Sequence, residues 1–279
     1  DPQVDDDIRW EALRRHPWSA KWVEIILEIL NDPENGGEKL DANLATALSQ
    51  RTIRVPNAEM RQSIQRTYRK LLEDNRESVR GRAYLALVGT EDPVAIAKLV
   101  EALQKGGENS PVPLEQAIEL IEVAGATRHI NTLRPYLSHK DPEVQSVTAR
   151  VLAADANSRP AIKTLIENVD TPEQVRVQAI LGMGRFDDTL PSYAIPMIRD
   201  GQVPVDVRQA AMQAMVGQVN YKKTDESVAI DFAEAVEAFA ADPTVDTTEN
   251  GNAKKQAKLL LEKLQETSPA IRQHYKSRD

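Results

Sequence analysis

The sequence predicts an all-α fold: an α-solenoid of stacked antiparallel helix pairs, wound as a right-handed superhelix. Three observations predict it. The first is a period. Five segments align on Ala83, Ala117, Thr148, Ala179 and Ala211, spaced 34, 31, 31 and 32 residues apart. The next position reads Tyr84, Ile118, Ala149, Ile180 and Met212, and four residues after each anchor stand Leu87, Ile121, Leu152, Met183 and Met215. A period of this size marks units that cannot bury an apolar face alone and must stack. The second observation is a recurring helix start. Asp92-Pro93, Asp141-Pro142 and Thr171-Pro172 each set a capping residue before a proline, which satisfies orphan N–H groups and fixes φ at the first helical position. The third is the near absence of strand alternation, because β-branched residues fall at helical spacing.

Taken in order, residues 1–73 carry divergent helix pairs, with helices expected at Val4–His16, Ser19–Leu30, Leu40–Arg51 and Ala58–Leu72. Met60, Ile64, Tyr68, Leu71 and Leu72 form the apolar stripe of the fourth. Asn35-Gly36-Gly37 and Val55-Pro56-Asn57 supply turn chemistry between them. Residues 74–242 hold the clear repeats. Their first helices carry the anchors, as in Val144, Val147, Val151 and Leu152, or Val175, Ala179, Ile180 and Met183. Glu143 and Glu173 fall in first turns, where the helix dipole favours negative charge. Second helices are expected at Val94–Leu103, Thr127–Leu137, Arg159–Val169, Leu190–Ile198 and Ser227–Ala240. Residues 243–279 close the array with a polar loop through Asn252 and a lysine-rich helix, Ala253–Gln265. The whole chain is read as a single helical-repeat domain, 1–279, with divergent ends that cover the open apolar faces.

The repeat residues resemble HEAT repeats. Asp141-Pro142-Glu143-Val144 with Ala149 and Val151-Leu152 is similar to that family's first helix. Val175-Arg176 with Ala179, Val207-Arg208 with Ala210-Ala211, and Val79-Arg80 with Ala83 are similar to its Val-Arg-x-x-Ala signature. The copy near Leu114 departs from it, with Pro113 and Leu114 where Val and Arg are expected. The resemblance covers about residues 74–242. It implies an α-solenoid that docks partner proteins, and it specifies a fold, not a reaction. HEAT-type hydroxylases carry His-Glu pairs for iron; this chain has no His-Glu dipeptide.

Composition narrows the chemistry. Charged residues are 28%, apolar residues 41% and aromatics 4%, a balance suited to close helix packing by small aliphatic side chains. A net charge of -8 weakens general attraction to nucleic acid or anionic lipid. With no cysteine, disulfides, thiolate metal sites and a cysteine nucleophile are excluded. No Asn-x-Ser/Thr sequon occurs, and the longest apolar run, Val23–Leu30, is interrupted by Glu24 and Glu28, so no membrane span is expected. The start at Asp1 without Met, together with the missing cysteines, gives an expectation of export to a bacterial periplasm over a cytoplasmic location. His16, His129, His139 and His274 have no metal-ligand spacing, and Gly182-Met183-Gly184 lacks the rest of a phosphate loop. No catalytic residue, metal or cofactor is therefore assigned, and the chain is expected not to be an enzyme.

What remains points to binding. Polar positions of the second helices, Lys98, Glu101, Arg128, Asn131, Arg134, Lys163, Glu167, Tyr193 and Arg199, are expected to line a concave surface that receives a protein partner. Residues 51–82 carry nine basic and four acidic side chains, including Arg61, Arg66, Arg69, Lys70, Arg76 and Arg80, whereas residues 225–249 carry eight acidic and no basic ones. The basic segment is read either as a face crossed by intramolecular ion pairs or as a patch for nucleic acid or a phosphate ligand. Trp18 and Trp22, four apart on one helix face, either cap the array or anchor a partner. The leading reading is a non-enzymatic, monomeric interaction scaffold. The alternatives are nucleic-acid or phosphate-ligand binding at residues 51–82, or a helical module of a larger enzyme or chromophore-lyase-like protein.

Overall fold

A computed structural model describes residues 4–17, 19–32, 36–51, 57–221, 225–245 and 251–278. Every regular element among them is helical. The helices gather into two compact units, Asp1–Thr132 and Leu133–Asp279. The first contains α1 (Asp6–Arg15), α2 (Ala20–Asn31), α3 (Glu38–Arg51), α4 (Ala58–Leu71), α5 (Glu77–Val88), α6 (Pro93–Gln104) and α7 (Leu114–Val123). α8 (Ile130–Leu133) crosses the boundary. The second contains α9 (Pro142–Leu152), α10 (Arg159–Glu167), α11 (Glu173–Met183), α12 (Pro191–Arg199), α13 (Val205–Tyr221), α14 (Glu226–Ala241), α15 (Gly251–Thr267) and α16 (Pro269–Lys276).

The period reads directly into packing. The anchors lie on α5, α7, α9, α11 and α13, and all five are fully buried. Their following and fourth-following neighbours, from Tyr84 and Leu87 to Met212 and Met215, are buried with them. In the first unit α5 packs on α3, α4, α6 and α7; in the second α11 packs on α9, α10 and α13. Small residues let these first helices close on each other. A Cβ at Gly182 would stand 3.0 Å from the Cβ of Ala153, and one at Gly184 would stand 2.9 Å from that of Ala214. The second helices follow suit, with α12 against α13 and α14.

The caps divide. Asp92 accepts from the N–H groups of Val94 and Ala95, and Asp141 from that of Glu143, each with proline at the first helical position. At Thr171-Pro172 the expectation fails: Pro172 itself is the cap residue of α11, and no side chain caps that helix. The expected helix Thr127–Leu137 is also corrected. It is broken into a 3-10 turn at Ala126–Arg128, the single-turn α8, and a second 3-10 turn at Arg134–Ser138. Gly125, at φ 95, sets the segment off from α7, and within it Pro135 lacks an N–H and crowds the carbonyl four residues earlier, so an α-helix does not run through it unbroken. Sequence reading also omitted α16, which starts where the hydroxyl of Ser268 accepts from the N–H of Ile271 beside Pro269.

Two signature arginines close the repeat joints of the second unit. Nε of Arg176 donates to the carbonyl of Ile166 at 2.9 Å, and Nε of Arg208 donates to that of Ile198 at 2.9 Å. Each carbonyl lies in the last turn of the preceding second helix, where acceptors lack intrahelical partners and the dipole favours a cation. Both arginines are buried.

Candidate functional site

The nine expected groove residues divide between the two units. In the second unit three successive second helices are linked by polar side chains. Lys163 on α10 lies 3.7 Å from Glu167, and its ammonium stands 5.0 Å from the centre of the Tyr193 ring on α12. Arg199, at the end of α12, donates to the main-chain carbonyl of Asp231 at 3.0 Å and lies 3.4 Å from the carboxylate of Glu234, both on α14. Glu234 in turn meets Nε2 of His274 on α16 at 3.0 Å. The charged heads of Lys163, Glu167 and Arg199 are solvent-accessible. Tyr193 is not a groove residue: its side chain is buried, and its hydroxyl donates to Asp187 at 2.8 Å. Burial, then the adjacent Asp187 carboxylate, drives the phenol far above its ordinary pKa. Arg134 pairs with Asp155 at 2.7 Å and donates to Ser158. The hydrogen bonds from Ser158 and Arg134 hold the Asp155 carboxyl below the usual carboxylate range.

In the first unit Lys98 pairs with Glu73 at 2.5 Å and Glu101 with Lys105 at 2.6 Å. Arg128 is exposed at the end of a 3-10 turn, and Asn131 lies in α8. The basic segment holds much of its charge against the protein itself. Arg69 meets Asp92 at 2.8 Å; Arg76 bridges Asp41 and Asp74, each at 2.8 Å; Lys70 donates to Asn31. Arg80 donates to the carbonyls of Asp74 and Pro111. Arg66 reaches Ser63 on its own helix, and Arg61 is exposed. Trp22 is an internal residue, buried on α2 with its indole N–H on the carbonyl of Leu13 at 2.9 Å. Trp18 lies outside the described residues.

Sequence reasoning missed a cavity of about 370 Å³ in the first unit. Ser49 of α3 borders it, with Ala58, Arg61, Ile64 and Tyr68 of α4. Gln62 and Gln65 of α4, Ala86 and Leu87 of α5 and the adjoining Thr90 also line it among the described residues. Three helices contribute its wall, so no contiguous motif announces it. Among the described residues no cluster of three or more acidic or imidazole side chains could hold a metal ion, and no helix is long and apolar enough to cross a membrane.

No protein-family model matches the chain, and no curated protein matches it. A solved structure to which it is similar is the complex of CpcE and CpcF of phycocyanin lyase from Nostoc sp. PCC7120. The identity is 19% and the TM-score 0.44, over 86% of this chain and 91% of that one. The expectation that the chain is not an enzyme is corrected by that finding, since the similar structure is named as part of a phycocyanin lyase. A likeness of that size argues for no particular activity in this chain, which is all-α with stacked helix pairs.

Proposed function

We propose that this chain is a HEAT-type helical-repeat protein that works by holding a protein partner against the second-helix row of its C-terminal unit. The observation that carries the reading is the continuity of that row. Lys163 reaches Tyr193 across α10 and α12, and Arg199 reaches Asp231 and Glu234 across α12 and α14. The strip alternates in sign and is held in place by a buried aromatic ring. Exposed ion pairs of this kind each contribute only about 0–1 kcal/mol, so exchanging them for a partner's charges costs little. A preorganised, mixed-charge strip favours selectivity for a complementary partner over raw affinity. The HEAT-type reading itself is supported by the burial of all five anchors and by the two arginine-capped joints.

The test is recovery of the partner from the native cell with the tagged wild-type chain, followed by binding of that partner, purified, to the variant Lys163→Glu/Arg199→Glu. Both substituted heads are accessible, so the thermal midpoint is expected to hold while affinity for the partner falls about tenfold or more. Equal affinity in a folded variant removes the row from consideration. A second reading, a helical subunit of a chromophore-lyase assembly, is one of the alternatives raised by the sequence, and the name of the similar structure supports it. Mixing the chain with phycocyanin apoprotein and free chromophore decides it: covalent visible absorbance on the apoprotein supports the reading, and its absence ends it.

A further inference from the structure

We propose that α16 is a displaceable strap over the acidic face of α14, and that this face takes a basic amphipathic helix supplied by a partner protein. Ile271, His274, Tyr275 and Arg278 stand at i, i+3, i+4 and i+7, so they share one side of α16 and of the turn that closes it. That side meets Glu234 and Glu237, which are neighbours on the surface of α14. Nε2 of His274 lies 3.0 Å from Oε1 of Glu234, and Nη1 of Arg278 lies 3.7 Å from the same oxygen. The hydroxyl of Tyr275 donates to Glu237 at 3.1 Å, and Arg278 reaches that carboxylate at 3.3 Å. An apolar anchor followed at helical spacing by further contact residues is the pattern by which amphipathic helices dock on another protein. The chain thus carries, in α16, its own example of the ligand that α14 accepts.

The hold on α16 is slight. Ile271 is its one buried residue, and eight residues are too few for a helix to persist alone in water. The rest of the attachment is made of partly exposed ion pairs, which places α16 at the low end of local stability. Glu234 also faces the other way. Its Oε2 lies 3.4 Å from Arg199 of α12, so one carboxylate joins the strap to the second-helix row. A tethered helix confronts its site at an effective concentration on the order of millimolar, which a free helix touching α14 alone does not match at lower concentration. Arg199 and Lys163 pair with acids of α10 and α14, so a partner helix that reaches along the row adds contacts beyond those of α16. The inference rests on the reading of that row as a docking surface, and it specifies the partner as helical, basic and apolar at one anchor.

The probe is a fluorescently labelled synthetic peptide of residues 268–278, added to the full chain and followed by anisotropy. Ile271→Ser frees the strap and is expected to raise the peptide's affinity about tenfold or more over wild type, where α16 competes for the face. His274→Ala/Arg278→Ala frees it through partly exposed positions and serves if Ile271→Ser does not fold. Adding Glu234→Gln/Glu237→Gln to the freed chain is expected to weaken the peptide about tenfold. A scrambled peptide of the same composition is expected to bind about tenfold more weakly than the native order. Equal affinity for wild type and the freed chains, no saturable binding to either, indifference to the two carboxylates, or equal binding of the scrambled peptide overturns the inference. None of these readouts uses Lys163 or the native partner. Their failure therefore overturns the strap and leaves the row to its own test, whereas an indifferent Lys163→Glu/Arg199→Glu removes the row and leaves a positive peptide result standing.

Discussion

Two Asp–Arg pairs that join segments more than thirty residues apart, one in each unit, are built in opposite senses. In the first unit the acid is the buried member: the side chain of Asp41 is 1% exposed, while that of Arg76 is 19% exposed. Burial is the largest influence on Asp41, and it holds the carboxyl above its usual range despite Arg76. Among the described residues one oxygen of Asp41 has no hydrogen-bond partner. In the second unit the base is the buried member: Arg208 is 1% exposed and meets Asp242, at 12%, over 2.6 Å. Asp242 also accepts from the N–H and hydroxyl of Thr244, which with Arg208 pull its carboxyl down to about 2. The buried arginine keeps an acceptor on Nε and the ring of Phe239 4.6 Å from its guanidinium carbon, while its Nη2, like one oxygen of Asp41, has no hydrogen-bond partner among the described residues. The difference teaches that an ion pair's contribution follows from which partner lost its water and what else that partner touches.

The largest expected effect tests the buried arginine. Arg208→Ala strips the Ile198 carbonyl of its donor, leaves Asp242 without its cation and opens space beside Phe239, so a loss of about 3–5 kcal/mol is expected. Arg176→Ala removes the same kind of carbonyl bond with no carboxylate attached, and about 2 kcal/mol is expected. Arg80 holds the same signature position in the first unit but is half-buried and bonded only to carbonyls, and Arg80→Ala is expected to cost about 1 kcal/mol. Urea denaturation of the three variants ranks them. Equal losses at Arg80 and Arg208 would break the comparison.

The order of those three residues bears on how much the sequence disclosed. The Val-Arg pairs at 79, 175 and 207 look alike, yet only the latter two arginines are drawn inside to cap a preceding helix. The cap depends on where the previous helix ends, and that is a property of packing. Local chemistry was legible: Asp92 and Asp141 cap their helices, and every anchor alanine or threonine is buried, because both follow from short-range spacing. Pro135 was visible as well, but an apolar pattern running from Thr127 to Leu137 outweighed it in the reading. Side chains chosen by polarity fared less evenly. Lys163 and Arg199 join a surface row, whereas Tyr193 turns inward because Asp187, six residues earlier in a loop, takes its hydroxyl. The cavity, shared by three helices, left no linear trace.

A smaller effect, readable through pH, tests the partly buried acid of the second unit. Asp242 has a folded pKa of about 2 against about 3.9 when unfolded. Its carboxylate therefore contributes stability that is fully present above about pH 4 and is lost as the pH falls through about 2. Asp242→Asn is expected to lower stability at pH 7 by about 1–3 kcal/mol, through the weakened bonds to Thr244 and Arg208. The difference from wild type should shrink between about pH 4 and pH 2, measured by thermal unfolding across that range. A gap that persists unchanged at pH 2 would mean that shape, and not charge, sets the cost.

The smallest effect is expected at Asp41, and its sign is reversed. Its folded pKa lies above the unfolded value, so the folded state binds the proton more tightly, and ionisation of this carboxyl detracts from stability as the pH rises. That detraction is absent well below about pH 3.9, the unfolded value, and is complete once the pH passes the folded one. Asp41→Asn removes the charge and places an amide donor where one buried oxygen has no partner, while Arg76 keeps Asp74 and its access to water. Stability at pH 7 is accordingly expected to change by about 1 kcal/mol or less, a gain being as consistent with the geometry as no change. At low pH, where wild-type Asp41 is itself neutral, the variant should lose whatever advantage it has. Urea denaturation at pH 7 and at about pH 2.5, well below the unfolded value, measures both terms. A loss at pH 7 as large as that of Asp242→Asn would show that Arg76 stabilises its buried acid as strongly as Arg208 does its less deeply buried one, and the contrast between the two pairs would then not hold.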